Sequence, residues 1–437
     1  MNTKKNNPNW NIPSAHYNSD HWKRDQLASL QESLRFIFEY SPFYKQRLGE
    51  QQLPLGFLQQ ISDLQKFPVT TKEDLQLHNE DFFCVEKHLI RDFCTTSGTL
   101  GEPVNFGQTE ADLERLSENE RLTYLSAGVT LHDVVQLTTT MDKRFMAGHA
   151  YYLGARNLGV PFIRCGMAPV SLQLDTIARF GTTVLISVPS FILKLIQYAK
   201  DENINLSETT VKKIICIGEP VRDQYFELNT LGKLIHDQWD VELYSTYAST
   251  EMATAFTECK HSKGGHLFPE LIHIEILDKN DQPVEEGQPG EVCITTIGVE
   301  AMPLIRFKTG DIAILHTETC DCGRTTPRLS PIIGRKKHLL KFKGTSIYPN
   351  SIYNVLNRFE DIDDYIIEVC CSEIGQDLVR ILLENTPKVI ALQYHIKQTL
   401  QSELRVLPEI VYINKSEIRK MKYPKNSRKP VTFIDLR

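Results

Sequence analysis

Residues 95–103, with the sequence Thr-Thr-Ser-Gly-Thr-Leu-Gly-Glu-Pro, form the densest group of side chains suited to binding chemistry. Two glycines allow the backbone to turn tightly and to approach a ligand closely. Hydroxyl and N–H donors around them could converge on phosphate oxygens. The residues that we expect to bind phosphate are Thr96, Ser97, Gly98, Thr99 and Gly101. No Gly-Lys-Ser/Thr follows, so this is not a Walker A loop, and a Ser/Thr-rich surface turn is the alternative.

Cys320-Asp321-Cys322 is a second group with chemical potential, because two thiolates at this spacing are a frequent half-site for zinc. A second half-site is available at Cys259, with His261 and His266 downstream. Thiolate and imidazole ligands suit tetrahedral zinc better than magnesium. Two free thiols or a reversible Cys-x-Cys redox pair are the alternatives.

Composition and charge narrow the class of protein. The chain has 437 residues, 41% of them hydrophobic and 24% charged, which predicts a globular protein of two or three domains. A formal net charge of −6 offers no broad basic field for nucleic acid. The most apolar stretch, 183–196, is broken by Pro189 and Lys194 and is too short to cross a bilayer, and no signal peptide is evident. We therefore predict a cytoplasmic protein without a nucleic-acid or membrane partner.

The elements that must position these residues follow two patterns. Between residues 93 and 217, short apolar strands such as 213–217 alternate with helices such as 147–158 and 190–199, which predicts βαβ units and mainly parallel sheets. Strands predicted at 273–277, 291–296 and 311–315 are separated by Pro- and Gly-containing turns, which predicts an antiparallel subdomain.

We therefore predict an α/β fold of two domains. A large N-terminal domain, residues 1–334, holds the parallel sheets, their helices and the antiparallel subdomain. A small α+β C-terminal domain, residues 335–437, contains a helix at 388–404. Near the N-terminus, apolar spacing predicts a helix over 22–48 that ends at Ser41-Pro42, and Thr70 or Thr71 could cap a short helix.

Further motifs follow the phosphate loop in chain order. They are Ile217-Gly218-Glu219-Pro220, Tyr247-Ala248-Ser249-Thr250-Glu251, Thr309-Gly310-Asp311 and Gly334-Arg335. Taken singly, the first is compatible with a plain strand-to-helix turn, and the Thr-Glu pair of the second with a helix N-terminus.

The joint order and spacing of these motifs resemble those of the adenylate-forming enzymes, the acyl-CoA synthetases and their relatives. Residues 423–437, together with 40–44 and 67–72, resemble the phenylacetate–coenzyme A ligase branch, so that the resemblance spans nearly the whole chain. Two residues of the phosphate loop depart from the family pattern, since Leu100 replaces a threonine and Glu102 a lysine. An acid at this position would repel a triphosphate at close range, so that magnesium or nearby basic residues would have to compensate.

The resemblance implies an ATP site built from several motifs. Gly218, Glu219 and Pro220 would contact the adenine, and Tyr247 would stack on it. Such a loop at the carboxyl end of a strand lies where open α/β sheets bind ligands.

The remaining implied roles concern phosphate, metal and ribose. Thr250 would contact the α-phosphate, and Glu251 would hold Mg²⁺, which prefers oxygen ligands. Asp311 and Arg335 would bind the ribose. Lys429 matches the catalytic lysine of the C-terminal domain, although Arg428 stands where a glycine usually precedes it, and a basic solvated tail is the alternative.

Some branches of the phenylacetate ligase family carry a Cys, Gly-x-His, Cys-x-Cys set, and Gly264-Gly265-His266 matches its middle part. On this resemblance we predict a closed, structural Zn²⁺ site. Its ligands would be Cys259, His266, Cys320 and Cys322, with His261 in reserve.

The resemblance implies two half-reactions, in which ATP activates a carboxylic acid to an acyl-adenylate and the thiol of coenzyme A then displaces AMP. The C-terminal domain would rotate about Arg335-Lys336 between the two steps. An aryl, phenylacetate-like acid is expected, and Lys143, Arg144 and His149 could meet a polar substituent or face water. A carrier-protein phosphopantetheine, another acceptor, a catalytically inactive binding module, and a homodimer stay open.

Overall fold

The computed structural model of the chain describes residues 21–54, 56–96, 104–338, 340–342, 345–371, 377–424 and 430–437. Contacts between Cα atoms divide the chain into two compact units. The first comprises residues up to Glu227, Gly232–Thr309 and Ala313–Pro331, and the second comprises Leu228–Leu231, Gly310–Ile312 and Ile332–Arg437. Within the described residues, no helix combines the length and apolarity needed to cross a membrane.

The α-helices alternate with strands over most of the chain. They are α1 (His21–Tyr40), α2 (Pro42–Glu50), α3 (Lys72–Leu77), α4 (Glu110–Ser126), α5 (Met146–Leu158), α6 (Val170–Phe180), α7 (Pro189–Asp201), α8 (Thr230–His236), α9 (Pro349–Leu356), α10 (Pro387–Ala391), α11 (Gln393–Leu404) and α12 (Lys415–Lys422). Short 3-10 helices lie at Ile61–Lys66, Asn79–Phe82, Lys87–Leu89, Leu206–Glu208 and Lys336–His338.

The strands fall into several sheets. The strands up to Leu329 are β1 (Asp92–Thr95), β2 (Asn105–Gln108), β3 (Val135–Leu137), β4 (Phe162–Arg164), β5 (Val184–Ser187), β6 (Lys213–Ile217), β7 (Glu242–Ser249), β8 (Thr254–Thr257), β9 (Gly265–His266), β10 (Ile272–Leu277), β11 (Gly290–Thr296), β12 (Phe307–Ala313), β13 (Leu315–His316) and β14 (Arg328–Leu329). The later strands are β15 (Gly334–Arg335), β16 (Leu340–Phe342), β17 (Thr345–Ile347), β18 (Tyr365–Cys371), β19 (Asp377–Glu384), β20 (Glu409–Ile413) and β21 (Phe433–Asp435).

A nine-stranded sheet in the order β13-β14-β9-β8-β7-β6-β5-β3-β4 is the main element of the first unit. The strands from β7 to β4 pair in parallel. The other strands pair antiparallel. The prediction of an α/β fold with mainly parallel strands is therefore confirmed, although the sheet is mixed. β5 and β6 are almost wholly buried because their runs of Val, Leu and Ile pack on both faces.

Local sequence signals fix several helix ends. Ser41 caps α2 by accepting the Tyr44 N–H, and Pro42 begins that helix, which explains the break in the apolar pattern predicted over 22–48. Thr71 and Asp74 form a capping box at α3, as Thr109 and Asp112 do at α4. These caps satisfy N–H groups that would otherwise lack partners.

The antiparallel region of the first unit is built on β10 and β11, which pair from Ile272–Thr296 to Leu277–Glu291. The predicted strand at 311–315 was displaced, because β12 begins earlier, at Phe307, and runs through the Thr309-Gly310-Asp311 motif. α1 is attached to β10 through the buried Gln26, whose amide donates to the carbonyls of Pro269 and Ile272.

The second unit is an α+β structure around the sheet β20-β19-β18-β21. β18 and β19 are antiparallel, and each has a parallel neighbour on its other side. A core that includes Ile352, Ile381 and Leu400 joins α9 and α11 to the sheet. The single helix predicted over 388–404 is divided at Leu392 into α10 and α11.

Close packing of α4 on α5 leads to a first prediction. A Cβ added to Gly154 in α5 would lie 2.3 Å from Glu120 Cβ and 2.8 Å from the Glu120 carbonyl carbon in α4. Since the second atom is backbone, Gly154→Ala should lower the free energy of unfolding by about 1–3 kcal/mol in urea denaturation. Gly49→Ala in α2 is the matched control, because nothing lies within 4 Å of the added Cβ. It should keep or raise stability, and equal losses in both variants would contradict this packing argument.

Glu120 makes the stability pH-dependent. Its side chain is buried, Asn119 donates to Oε1 at 3.0 Å, and Oε2 has no hydrogen-bond partner in the described part of the chain. Burial raises the pKa of Glu120 from 4.5 to about 8. Because the folded state holds this proton more tightly, the resulting stability is complete below pH 4.5 and is lost as the pH rises through about 8.

Glu120→Gln should therefore flatten the pH dependence of the free energy of unfolding. Between pH 5 and 8.5 the wild type should lose about 2–4 kcal/mol more than this variant, as measured by urea denaturation at each pH. Glu202→Gln removes an exposed carboxyl at the end of α7 and should leave the wild-type slope. A Glu120→Gln slope equal to that of the wild type would show that Glu120 is ionised in the fold.

Candidate functional site

The parallel half of the large sheet brings several loops to one edge. Along β4-β3-β5-β6-β7 the strand order reverses between β3 and β5. In open α/β sheets, ligands bind outside the carboxyl ends of the strands at such a switch point. The segments that leave these ends begin at Thr138, Val188, Gly218 and Thr250. Two of the four belong to the predicted nucleotide motifs.

The loop after β6 contains the predicted adenine contacts. Gly218 has φ = +77°, a left-handed conformation that glycine adopts without a Cβ clash, and Pro220 follows two residues later. The Glu219 carboxylate accepts the Ser190 N–H at 2.8 Å and the Ser190 hydroxyl at 2.9 Å. This carboxylate therefore caps the N-terminus of α7 and fixes the loop to the end of β5.

The Tyr247–Glu251 motif lies at a hairpin. Tyr247 is paired with Phe256 across β7 and β8, with ring centroids 6.0 Å apart and an interplanar angle of 27°. Thr250 and Glu251 lie in the tight turn that joins these strands, and the Ala253 N–H donates to the Thr250 carbonyl at 3.3 Å. The alternative of a helix N-terminus at the Thr-Glu pair is wrong, because β8 begins at Thr254.

A small cavity connects this turn with the phosphate-loop hairpin. Its lining includes Thr250 and Glu251 together with Phe106 and Gln108 of β2, and Met146 at the start of α5. β1 and β2 pair from Asp92–Gln108 to Thr95–Asn105, so they form the base of the hairpin that carries the phosphate loop. The structure thus brings Thr250 and Glu251 beside that base.

Most of the phosphate loop lies outside the described residues. This holds for Ser97, Gly98, Thr99 and Gly101, and also for Glu102. Thr96 is described and buried, and its Oγ1 accepts the Val104 N–H at 3.1 Å. The Thr96 N–H donates to the Val104 carbonyl, also at 3.1 Å, so Thr96 closes the hairpin at the foot of the loop.

Two residues beside this cavity were missed by the sequence analysis. Arg115, buried in α4, donates to the carbonyls of Ala253, Leu271 and Ile297 and to the Thr254 hydroxyl, and so holds the turn that carries Glu251. Asp112 accepts the N–H groups of Glu300 and Ala301 in addition to capping α4. The Thr109–Asp112 capping box was a readable signal for Asp112, whereas nothing in the local pattern distinguishes Arg115 from a surface arginine.

Asp311 and Arg335, the predicted ribose contacts, belong to the second unit. They are opposite each other in the β12–β15 pair, and Arg335 Nε donates to Asp311 Oδ1 at 3.1 Å. Asp311 is buried, whereas about half of the Arg335 side chain is exposed. The predicted catalytic lysine, Lys429, lies outside the described residues, as does Arg428.

The cysteine and histidine motifs converge in the antiparallel half of the large sheet. Cys259 follows β8, His266 lies on β9, and Cys320 and Cys322 form the turn between β13 and β14. The pairing of β9 with β8 and β14 brings these residues together, since His266 is opposite both Thr257 and Arg328. One ligand atom from each of the four lies within 4.8 Å of the others, and His261 is not part of this group.

Two of the distances within this cluster match the edges of a tetrahedral zinc site, and the remaining ones are at most 4.8 Å. Cys259 Sγ and Cys320 Sγ are 3.8 Å apart, and Cys322 Sγ is 3.5 Å from His266 Nε2. A tetrahedron with ordinary zinc bond lengths has S–S edges of about 3.8 Å and S–N edges of about 3.6 Å. The first sulfur pair is much too far apart for a disulfide, whose S–S bond is about 2.05 Å.

The protonation states also fit metal ligation. Burial, followed by the charges of Arg324 and Arg328, lowers the pKa of His266 to about 3, so the imidazole is neutral and can donate a lone pair. Burial, reinforced by the neighbouring thiols, raises the pKa of Cys259 to about 12 and also raises that of Cys320, so that without a metal ion both thiols hold their protons. A divalent cation would supply the charge that stabilises the thiolates.

Comparison with known proteins gives a consistent result. The family model described as "AMP-binding enzyme" matches residues 86–301. The chain is 28% identical over 354 residues to the phenylacetate-coenzyme A ligase of Thermus thermophilus, covering 78% of this chain and 77% of that protein. It is 23% identical over 436 residues to the enzyme of the same name from Escherichia coli, covering 94% and 95%.

Solved structures agree on the fold. A 2-hydroxyisobutyryl-CoA ligase in its postadenylation state, in complex with an acyl-AMP, superposes with a TM-score of 0.83 at 21% identity over 98% of this chain and 91% of that one. An anthranilate CoA ligase in complex with anthranoyl-AMP gives a TM-score of 0.60 at 16% identity, covering 78% of this chain and 66% of that one. At these identities the likeness concerns the fold alone.

Proposed function

We propose that this chain, which belongs to the adenylate-forming AMP-binding enzymes and among them to the phenylacetate–coenzyme A ligase branch, activates an aryl carboxylic acid and transfers it to coenzyme A. The activity class, an AMP-forming acid–CoA ligase, follows from this membership. The observation that carries the site assignment is the cavity shared by Thr250, Glu251 and the base of the phosphate-loop hairpin. It supports one nucleotide site assembled from motifs that are about 150 residues apart in the chain.

In the first half-reaction a carboxylate oxygen of the acid attacks the α-phosphorus of ATP. A C(O)–O–P bond forms, the bond between the α-phosphorus and the bridging oxygen breaks, and pyrophosphate leaves. The Thr250 hydroxyl would donate to an α-phosphate oxygen, and the phosphate loop would hold the leaving pyrophosphate. Glu251 would hold Mg²⁺, which neutralises phosphate charge when bound.

In the second half-reaction the thiolate of coenzyme A attacks the acyl carbon, and AMP leaves. The ribose would be bound by Asp311 and Arg335, whose ion pair keeps the carboxylate in one orientation within the second unit. Lys429 would stabilise charge on the transferring phosphoryl group in the first step. Rotation about Arg335-Lys336 would then free the space for the thiol.

Apolar side chains at the carboxyl edge of the sheet support the proposal of an aryl acid. Met141, from the loop after β3, and Val188, from the loop after β5, are partly buried and pack with Ala147 against the core that contains Ile186 and Ile217. These residues lie at the carboxyl edge where the acid must approach the α-phosphate. Tyr244 belongs to the same core and donates its hydroxyl to Glu242 at 2.7 Å, so it supplies apolar surface rather than a free polar group.

The activity should appear as acid-dependent release of pyrophosphate. With Mg²⁺ and a panel of aryl and fatty acids, we expect release with an aryl acid and conversion to a thioester when coenzyme A is added. Release without a thioester would indicate a carrier-protein or other acceptor. Absence of release across the whole panel would contradict the proposal and favour an inactive binding module.

Lys429→Ala should lower the rate of adenylation about 100-fold or more while leaving the unfolding midpoint unchanged, because it removes charge stabilisation in the transition state alone. Pyrophosphate exchange measures the rate. Lys420→Ala is the matched control, since it removes one exposed lysine from α12 nine positions earlier. Unchanged exchange in Lys429→Ala, or an equal loss in the control, would remove Lys429 from the mechanism.

We also propose that Cys259, His266, Cys320 and Cys322 hold a structural Zn²⁺. Three thiolates, one neutral imidazole and the ion would carry a net charge of −1, which the nearby Arg324 and Arg328 would offset. Four protein ligands leave no open position for a substrate, so the ion would stabilise the fold.

Metal analysis of the purified chain should give about one zinc per chain. Cys322→Ser should remove this zinc and lower the Tm, because it removes one of the four ligands. Cys322 is partly exposed, so the substitution itself should disturb the packing little. Cys165→Ser, at another partly exposed thiol outside the cluster, should keep both zinc content and Tm. A zinc content near zero in the wild type would refute the site.

A cytoplasmic location and a homodimer stay predictions.

A further inference from the structure

The loop that leaves β3 has an unusual backbone. Asp142-Lys143-Arg144-Phe145 is a turn in which the Phe145 N–H donates to the Asp142 carbonyl at 3.2 Å. Lys143 and Arg144 both have φ = +59°. Two consecutive left-handed residues are typical of a type I′ turn, a turn that strongly prefers Asn-Gly, because most side chains are strained there.

Neither long side chain of this turn makes a polar contact with another described residue. Lys143 and Arg144 are exposed, and neither has a hydrogen bond or an ion pair through its side chain within the described chain. The neighbouring acid, Asp142, is already engaged, because its carboxylate accepts the Thr140 hydroxyl. Within the described residues the two cations therefore have no polar partner, although the turn that holds them is strained.

The turn is fixed at the switch point of the sheet. Thr138, the first residue of the loop, donates to the Ile186 carbonyl and the Ser187 hydroxyl of β5, which lies beside β3. At the other end the start of α5 packs closely on the loop, since a Cβ on Gly148 would lie 2.3 Å from the Thr140 carbonyl oxygen. Both ends of the loop after β3 are therefore fixed at the carboxyl edge of the sheet.

The turn is also attached to the strand that leads into the phosphate loop. The Arg144 carbonyl accepts the Thr95 N–H at 3.1 Å, and Thr95 is only two residues before Ser97. A second link joins the same elements, because His149 Nδ1 in α5 lies 3.6 Å from Asp92 Oδ2 in β1. The two cations are therefore tied to the foot of the hairpin that carries the phosphate loop.

We propose that Lys143 and Arg144 bind the β- and γ-phosphates of ATP, and hence the pyrophosphate product, and so determine the affinity for nucleotide. The phosphate loop itself carries an acid, Glu102, and no lysine or arginine occurs among residues 95–103. A loop with this charge needs cations from elsewhere to accept a polyphosphate. This inference rests on the proposed function, since it names the phosphate-binding cations of the same nucleotide site.

The double variant K143N/R144G tests the effect of the two charges, because it removes both of them and should leave the fold intact. Asn-Gly fits the turn better than Lys-Arg, so the variant should keep or exceed the wild-type unfolding midpoint. Its KM for ATP and its dissociation constant for pyrophosphate should each rise about tenfold, because two charge-assisted contacts are lost. The KM for the acid and the affinity for AMP, which lacks these phosphates, should stay within about twofold of the wild type.

The control variant R156A/K200A removes the same two kinds of charge from exposed positions in α5 and α7. Its affinities for ATP and pyrophosphate should match those of the wild type. Should K143N/R144G unfold, K143Q/R144Q keeps both side-chain lengths and should show the same weakening. Unchanged affinity for ATP and pyrophosphate, an equal loss in the control, or a rise in the KM for the acid alone would each overturn the inference.

Calorimetric titration of the intact chain with pyrophosphate, or with ATP in the absence of acid, separates this inference from the proposed function. A wild type that binds both ligands but releases no pyrophosphate with any acid would refute the proposed reaction alone. Equal binding to wild type and K143N/R144G would refute the role of the turn alone.

Discussion

Parallel pairing of β3, β5, β6 and β7 is the constraint on which the candidate site depends. Because neighbouring parallel strands end at the same edge, segments from four distant parts of the sequence must begin side by side there. The loop after β6, which is proposed to contact adenine, is fixed by Glu219 to the helix that follows β5. The loop after β3 is fixed to β5 through Thr138. These side-chain hydrogen bonds fix the positions of the two loops at the shared edge.

Buried polar groups position the residue proposed to hold magnesium. The turn that carries Glu251 is held from outside as well, because Arg115 in α4 donates to its Ala253 carbonyl. A buried guanidinium is costly unless all of its donors are satisfied, and here carbonyls from three separate segments accept from it. Removal of any of these acceptors would leave a buried charge partly unpaired, so α4, the hairpin turn and the segments near residues 271 and 297 are mutually dependent.

The sequence revealed the elements whose signals are local. The buried strand at 213–217 was predicted with its observed ends because residues 214–217 are a continuous run of apolar, largely β-branched residues. By contrast, the strand predicted at 311–315 was displaced, since Thr309-Gly310-Asp311 has the composition of a turn, yet β12 runs through it with Gly310 at φ = +79°. The link from Glu219 to Ser190 spans 29 residues, and that from Arg115 to Ala253 spans 138, so neither leaves a periodic trace in the sequence.

The two halves of the large sheet differ in the interactions that can stabilise them. The parallel half is covered by amphipathic helices and by an apolar core that includes Val184 and Ile215. The antiparallel half ends in β9, β13 and β14, which have two residues each and can form few ladder hydrogen bonds. A cation bound by Cys259, His266, Cys320 and Cys322 would join β8, β9 and the β13–β14 turn directly. Because β8 begins immediately after the turn that carries Glu251, such a metal would also hold the far end of the hairpin that carries part of the proposed nucleotide site.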